Sequence, residues 1–337
     1  MASSVWLRLA ISVKRILQFS NQKQGVHRQR VLSVIEEKRQ REIVEHYLDG
    51  ATSIEMTLMY WLKATWDVAV VENEIQTSIN ALREFSDTAA RQDTEALAAL
   101  AVMLDRNRSG CNRIVRMFHS RVDSDDPADS VADGIAFCKR LFDWSVQQSA
   151  EASVALYSLG DPAILDIATR EIVALMRDWD LTGDDKDLLE IGCGIGRFQM
   201  ALAAETRSIT GIDVSENMVQ AARARCGDLT NVSLFECSGR DLALFAGSTF
   251  DVVFAADAMP YLYQSGIALV ETHFAEAKRV LKPGGQLAIF EFSYRNDVAS
   301  DRVDVERLAA RHGFEVIVNG SRPFKVWDGA AFRLRAR

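Results

Sequence analysis

A glycine-rich segment between an apolar run and a helical pattern has residue types and spacing suited to binding a ligand. Asp187–Ile191 predicts a buried strand, and Gly192, Gly194 and Gly196 follow it directly. Glycine lets the backbone approach a ligand closely. Asp213 ends the next apolar run, where a carboxylate can accept hydrogen bonds from both hydroxyls of a ribose. The spacing predicts a nucleoside-binding turn between a strand and a helix.

Three further motifs accompany this turn. Glu190 lies near the end of the first predicted strand, and Phe250–Asp257 predicts a later strand. Leu281–Gly285 reads Leu-Lys-Pro-Gly-Gly and precedes another apolar run, Gln286–Phe292. Together these motifs closely resemble the class I S-adenosylmethionine-dependent methyltransferase family. The combination is specific, whereas a glycine turn alone also occurs in nicotinamide and flavin enzymes.

The resemblance implies S-adenosylmethionine as the cofactor and assigns the residues around it. Asp213 corresponds to the family's ribose-binding acid, and Val214 and Met218 are expected to contact the adenine, with helix packing as the alternative for Met218. Gly239 stands where the family usually has an aspartate for the adenine amino group, so Asp241 is a candidate for that role, with backbone amides as the alternative. The implied cofactor-binding set is Glu190, Gly192, Gly194, Gly196, Asp213, Val214, Met218 and Asp241.

Acceptor residues are predicted at the carboxyl edge of the sheet, where open α/β sheets bind ligands. Asp257 follows the fourth predicted strand and can bind an amine or act as a general base, and Tyr261 follows it closely. By the resemblance, Tyr157 lies in a lid over the active site. We predict Asp257, Tyr261 and Tyr157 as catalytic residues, with loop capping and packing as the alternative. Glu291 and Tyr294 are expected at the rim of the same pocket.

The two halves of the chain have different patterns. Before the acidic segment Asp123–Asp129 the chain has no proline, and its periodicity predicts only helices. We therefore predict an N-terminal all-helical domain at 1–128 and a methyltransferase domain at 129–337. The second domain is predicted to hold lid helices at 130–180 and an α/β, Rossmann-like seven-stranded sheet at 187–337.

Individual elements can also be predicted. The N-terminal half is expected to contain helices at Arg30–Leu48, Ile54–Phe85 and Thr94–Leu104, and one that begins at Arg113 after Gly110. In the second half, the resemblance implies that the seventh strand runs antiparallel and is inserted by a hairpin from the sixth.

Composition limits the function classes. The 337 residues are 48% hydrophobic and 26% charged, as in globular proteins, and the net charge of -8 argues against a nucleic-acid partner. Five cysteines without metal-ligand spacing predict no metal site and a cytoplasmic location. No apolar run is long enough for a transmembrane segment. The basic first 35 residues predict organellar targeting, membrane-surface contact or an ordinary amphipathic helix.

We therefore predict a methyltransferase that acts on an oxygen or nitrogen atom of a small molecule, with possible homo-oligomer formation through the helical domain. One alternative is a noncatalytic cofactor-binding scaffold whose helical domain mediates association. Another is an NAD-dependent oxidoreductase, although its turn usually has the Gly-x-Gly-x-x-Gly spacing and it lacks the Leu-Lys-Pro-Gly-Gly motif.

Overall fold

The computed structural model describes residues 25–121 and 130–337. The predicted linker Asp123–Asp129 and most of the basic N-terminal stretch lie outside the described residues. No helix within the two described ranges has the length and apolar character needed to cross a membrane.

Residues 25–121 fold into helices, as predicted. These helices are α1 (Val26–Ser33), α2 (Lys38–Leu48), α3 (Ile54–Thr65), α4 (Val68–Leu82), α5 (Thr88–Arg106) and α6 (Arg108–Arg121).

Two predicted long helices are each divided in the structure. The predicted helix Arg30–Leu48 corresponds to α1 and α2, and the predicted helix Ile54–Phe85 corresponds to α3 and α4. The second division falls at Trp66, whose φ of 57° is left-handed, and Asp67 then caps α4 by accepting a hydrogen bond from Ala69 N. Neither division contains Gly or Pro, so the helical periodicity continues across both and the sequence prediction missed them.

Gly110 lies inside α6 and not before it, so the predicted helix start at Arg113 is wrong. A Cβ atom at Gly110 would lie 1.9 Å from the backbone oxygen of Leu159. Glycine is therefore required here because α6 packs directly against the backbone that precedes the sheet.

Three helices follow in residues 130–180, where lid helices were predicted. They are α7 (Val131–Gln148), α8 (Ala150–Val154) and α9 (Pro162–Asp178), with a short 3-10 turn at Leu156–Ser158. Asp161 caps α9 by accepting a hydrogen bond from Ala163 N, and Pro162 occupies the first turn, where no backbone donor is needed.

Seven strands form one sheet within residues 130–337. They are β1 (Gly183–Ile191), β2 (Thr206–Asp213), β3 (Val232–Glu236), β4 (Phe250–Ala256), β5 (Leu281–Phe290), β6 (Phe314–Ser321) and β7 (Ala331–Ala336). The order is β3-β2-β1-β4-β5-β7-β6, and β7 pairs antiparallel with both neighbours. The predicted Rossmann-like α/β fold is confirmed, including its final antiparallel strand.

Helices connect the strands. These are α10 (Arg197–Leu202), α11 (Glu216–Cys226), α12 (Met259–Ser265), α13 (Ile267–Val280) and α14 (Val298–His312). The strand order reverses between β1 and β4, which are neighbours in the sheet. Ligands of open α/β sheets bind at such a switch point, outside the carboxyl ends of the strands. The ends of β1, β2 and β4 are therefore the expected position of the site.

The sheet is buried on both faces. Neighbouring residues of β1 face opposite sides: Leu188 belongs to one hydrophobic cluster and Leu189 to another. The first cluster also contains Trp61 of α3, Leu97 of α5 and Phe290 of β5. The N-terminal helices therefore share a hydrophobic core with one face of the sheet.

Polar contacts also join the N-terminal helices to the loop between β6 and β7. The Ser53 hydroxyl donates to the backbone oxygen of Val326 over 2.7 Å, and the Tyr60 hydroxyl donates to Asp328 Oδ2 over 2.7 Å. The domain boundary near residue 128 stays a prediction, since the core described here continues across it.

Candidate active site

The three glycines after β1 form a tight turn in left-handed conformations. Their φ angles are 75° at Gly192, 51° at Gly194 and 74° at Gly196. A Cβ atom at Gly192 would lie 2.5 Å from Ala258 Cβ, and one at Gly194 would lie 2.6 Å from Val154 Cγ1. The turn therefore has no space for side chains, and the backbone of Gly192 and Gly194 lines an adjacent cavity.

Asp213 ends β2 beside this turn and lines the same cavity. Its Oδ2 accepts a hydrogen bond from Gly194 N over 2.9 Å, and its Oδ1 accepts one from Ser215 N over 2.9 Å. Burial raises the pKa of the carboxyl to about 6, although these backbone hydrogen bonds favour the charged form. Asp213 is thus held in one orientation and is ionised at neutral pH.

Glu190 lies beneath the turn and does not line the cavity. It is 1% exposed, and Gln199 Nε2 donates to its Oε2 over 2.7 Å. Burial raises the pKa of Glu190 to about 8. The hydrogen bond between Glu190 at the end of β1 and Gln199 in α10 therefore stabilises the glycine turn that connects these two elements. Gly196 also lies away from the cavity, where a Cβ atom would be 2.9 Å from Ala222 Cβ of α11.

The other predicted cofactor residues divide into two groups. Val214 and Met218 line the cavity, and so does Gly239, with a φ of 70°. Asp241 does not line it. The Asp241 side chain accepts a hydrogen bond from Ala243 N over 3.1 Å and borders a separate surface depression with Arg279.

The cavity has a volume of about 530 Å³ and extends from the glycine turn to the N-terminal helices. Its wall includes the strand ends, the lid helices, α2 with α3, α12 with α13, the segment that leads into α14, and the loop before β7. Representative lining residues are Asp213, Asp257, Ile135, Phe142, Tyr157, Met59, Tyr60, Trp327 and Asp328.

Asp257 lies at the carboxyl end of β4, as predicted, with a left-handed φ of 60°. Its Oδ1 accepts a hydrogen bond from the Tyr294 hydroxyl over 2.8 Å. Burial raises the pKa of Asp257 to about 7, and the nearby Arg197 guanidinium opposes part of that rise. A carboxyl group with this pKa can exchange a proton near neutral pH.

The two predicted tyrosines lie in the same cavity. Tyr261 packs edge-to-face on Phe142 at 4.8 Å and on Tyr294 at 5.6 Å between ring centroids. Tyr157 is 4% exposed and stacks on Trp327 at 6.0 Å. The Tyr157 hydroxyl is buried next to Arg197, whose charge and hydrogen bond oppose the burial-driven rise in the pKa of Tyr157. The structure thus brings the three predicted acceptor residues together.

Three more polar residues line the acceptor end of the cavity. Glu291, expected at the rim, accepts a hydrogen bond from Ala330 N over 2.8 Å, and burial raises its pKa to about 8. Tyr60 and Asp328 were not predicted as site residues. The only sequence signal was the polar Asp328 between Trp327 and a glycine, and no local pattern links it to Tyr60.

Metal chemistry has no support in the described residues, because no group of His, Cys, Asp and Glu side chains there could hold a metal ion. The five cysteines are free thiols.

Comparison with known proteins gives consistent results. Residues 189–289 match the sequence model of a family described as a methyltransferase domain. The chain is 31% identical over 109 residues to demethylmenaquinone methyltransferase of Tropheryma whipplei (strain Twist), which covers 32% of this chain and 43% of that protein. It is 32% identical over 124 residues to 27-O-demethylrifamycin SV methyltransferase of Amycolatopsis mediterranei (strain S699), which covers 36% and 44%. The chain thus spans less than half the length of these curated relatives.

A solved structure shares the fold. Phosphoethanolamine N-methyltransferase 1 of Haemonchus contortus, in complex with phosphoethanolamine and S-adenosylhomocysteine, superposes with a TM-score of 0.51 at 16% identity. The superposition covers 61% of this chain and 49% of that one.

The strand order, the glycine turn and the matched domain together define a Rossmann-like methyltransferase fold. Residues 189–289 thus match the methyltransferase domain family, and the fold around them is that of the class I S-adenosylmethionine-dependent methyltransferases.

Proposed function

We propose that the protein transfers a methyl group from S-adenosylmethionine to a nitrogen or oxygen atom of a small molecule held in the cavity. The observation that carries this proposal is the placement of two different groups in one enclosed space. The glycine turn and Asp213 suit a nucleoside, and the buried carboxyl group of Asp257 lies in the same cavity, two strands away from Asp213.

The residues around the turn fit the cofactor. Gly192 and Gly194 expose backbone where a side chain would collide with its neighbours. Each oxygen of Asp213 accepts one backbone hydrogen bond and keeps acceptor capacity for a ribose hydroxyl. Val214 and Met218 offer apolar contacts for the adenine. When bound, the cofactor supplies a methyl group already activated by a positively charged sulfur.

The chain's own residues then provide alignment, a dry cavity and a proton acceptor. Displacement at a methyl group depends mainly on the alignment of the reacting atoms and on the exclusion of water. The lid helices and the stacked rings of Tyr157 and Trp327 form part of the enclosing wall. Asp257 is poised to take a proton from the acceptor because its pKa is about 7.

The relatives support a small-molecule acceptor. Two of them are named for demethylmenaquinone and 27-O-demethylrifamycin SV.

Three further predictions from the sequence, on location, membrane contact and self-association, stay open to experiment. Fractionation tests the cytoplasmic location, vesicle sedimentation tests membrane contact through the basic N-terminus, and light scattering tests self-association.

Calorimetric titration and a transfer assay test the proposal. We expect S-adenosylmethionine and S-adenosylhomocysteine to bind and NAD to bind far more weakly. Incubation with methyl-labelled S-adenosylmethionine and fractionated metabolite pools is expected to label a small molecule. Tight binding of NAD without S-adenosylmethionine would contradict the proposal. Cofactor binding without transfer to any pool would instead favour the noncatalytic scaffold.

A further inference from the structure

Three carboxyl groups gather at the acceptor end of the cavity. Asp257 follows β4, Glu291 follows β5, and Asp328 lies in the loop between β6 and β7; all three line the cavity. They interact electrostatically, because Asp328 raises the pKa of Asp257 and both of these residues raise the pKa of Glu291. Three acids from separate strand ends therefore share one small region.

Hydrogen bonds within the protein use a small part of the acceptor capacity of these groups. Each carboxyl group receives one hydrogen bond from a neighbouring tyrosine or backbone amide: Tyr294 to Asp257 Oδ1, Ala330 N to Glu291 Oε2, and Tyr60 to Asp328 Oδ2. An ionised carboxyl group has about four acceptor positions, so capacity remains for a ligand donor.

Positive charge is scarce around Glu291. Arg197 lies near Asp257, and Arg322 lies near Asp328, where each lowers the pKa of its neighbour. The main charged groups that shift the pKa of Glu291 are other carboxyl groups. Burying ionised carboxyl groups without enough positive charge is costly, which is why the pKa values of Asp257 and Glu291 are raised towards the neutral acid. A cationic ligand would supply the missing charge and favour the ionised forms.

The basic residues Arg39 and His46 of α2 and Lys63 of α3 line the part of the cavity formed by the N-terminal helices.

Aromatic rings surround the same region. Tyr60, Tyr157, Tyr261, Tyr294 and Trp327 are among the aromatic residues that line the cavity. The faces of such rings attract ammonium groups, and the attraction grows when water is excluded. The carboxyl groups and the aromatic rings therefore both favour a ligand with an ammonium group.

We propose that the methyl acceptor is an aliphatic amine, whose cationic form is bound by Asp257, Glu291 and Asp328 within this aromatic wall. The proposal rests on the methyltransferase function proposed above and narrows its acceptor from nitrogen or oxygen to nitrogen. An alcohol would bring no positive charge and would leave the carboxyl groups unpaired.

The transfer balances in charge and atoms. The bound ammonium group gives one proton to the Asp257 carboxylate, which frees the nitrogen lone pair. That lone pair forms the bond to the methyl carbon, and the carbon–sulfur bond breaks with its electron pair on sulfur. The positive charge moves from sulfur to nitrogen, so the methylated product is again an ammonium ion that Glu291 and Asp328 can stabilise.

Matched ligand pairs test the charge preference on the full-length protein saturated with S-adenosylhomocysteine. Choline is compared with 3,3-dimethyl-1-butanol, in which carbon replaces the charged nitrogen, and cyclohexylamine is compared with cyclohexanol. We expect the cation to bind about tenfold more tightly in at least one pair, as about 1.4 kcal/mol of cation recognition requires. The proposal is overturned if in neither pair the cation binds more tightly than its neutral analogue.

Variants of the cavity carboxyl groups test which residues produce the preference for a cation over its neutral analogue. Glu291→Gln keeps the side-chain shape and is expected to reduce the cation preference about tenfold. Glu84→Gln, at an exposed position outside the cavity, is the matched control and should leave it unchanged. Asp328→Asn is a second variant in case Glu291→Gln does not fold. If Glu291→Gln and Asp328→Asn both fold and both keep the wild-type preference for the cation, these carboxyl groups do not bind the cation.

Binding of S-adenosylhomocysteine alone is measured first, which separates the two proposals. If the protein does not bind S-adenosylhomocysteine but still prefers the cation in the ligand pairs, measured then without cofactor, only the methyltransferase function is refuted. Cofactor binding and labelled transfer to alcohols, without transfer to amines, would refute the amine inference only.

Discussion

The two ends of the cavity are built in different ways. The cofactor end comes from adjacent strands and one short stretch of chain, Gly192–Asp213. The acceptor end depends on contacts between distant segments; Tyr60 and Asp328, which share a hydrogen bond, are 268 residues apart. A local motif therefore identifies the methyl donor, whereas the proposed acceptor site forms only after the N-terminal helices have packed on the sheet.

The largest effect is expected at the acceptor end. Asp257→Asn should lower turnover about 10²- to 10⁴-fold, the usual contribution of a positioned general base. Affinity for S-adenosylhomocysteine should stay nearly constant, since Asp257 is not assigned to the cofactor. Steady-state kinetics and calorimetry check this. Tyr157→Phe and Tyr261→Phe should lower turnover less, because each keeps its ring. Normal turnover in all three variants would move the acceptor site elsewhere.

A smaller effect is expected at the cofactor end. Asp213→Ala should weaken cofactor binding about ten- to a hundredfold, because hydrogen bonds to a charged group contribute about 1.5 to 3 kcal/mol. Asp228→Ala, at an exposed position after α11, removes the same side chain without touching the cavity and serves as the control. Equal affinities in the two folded variants would remove Asp213 from the ribose site.

The pH dependence of Asp213 should have opposite signs for binding and for stability. The pKa of Asp213 is about 6 in the fold, whereas the ordinary pKa of an aspartate side chain is 3.8. Cofactor affinity should fall as the pH drops below about 6, approaching about tenfold per pH unit, because the neutral acid is a poorer acceptor. The folded apoprotein binds the proton more tightly than the unfolded chain, so this group's contribution to stability is lost as pH rises from 3.8 through 6. Comparison with Asp213→Asn, by calorimetry and chemical denaturation, isolates both trends.

The smallest effect is expected at the adenine side. Asp241→Ala should change cofactor affinity little, because its side chain lies outside the cavity. Gly239→Ala should weaken binding and lower stability by about 1 to 2 kcal/mol, since its φ of 70° is left-handed. Thermal unfolding measures the stability of both variants, and calorimetry measures whether Gly239→Ala weakens cofactor binding more than Asp241→Ala. If Asp241→Ala loses more cofactor affinity than Gly239→Ala, the prediction is wrong and Asp241 contributes to cofactor binding.

Much of the sheet could be predicted from the sequence. The predicted strand Asp187–Ile191 lies within β1, and the predicted strand Phe250–Asp257 exceeds β4 by one residue, because short apolar runs between polar turns are typical of strands. The helix divisions could not be predicted in the same way. The left-handed Trp66 interrupts a continuous helical periodicity without Gly or Pro, so only tertiary packing and the Asp67 cap define that break.

The candidate site shows the same limit. The positions of Asp213 and Asp257 follow from where strands end, which a sequence pattern can locate. The position of Asp241 depended on how the loop after β3 is wound, and a left-handed Gly239 places glycine at the cavity instead. Tyr60 lies in a helix with other aromatic residues, a pattern that is more typical of a core or an interface than of a binding site. Its role depends on a loop at the other end of the chain.

The bond between Tyr60 and Asp328 has an evolutionary consequence. The region that matches the methyltransferase domain family, residues 189–289, contains neither of these residues, nor Tyr157 or Glu291. Gene duplicates can therefore keep that region, and with it the methyl donor, while substitutions in the helices and in the hairpin loop change the compound that is methylated. We therefore expect part of the divergence in substrate among relatives to lie outside the matched region, although Asp257 and Tyr261 lie within it.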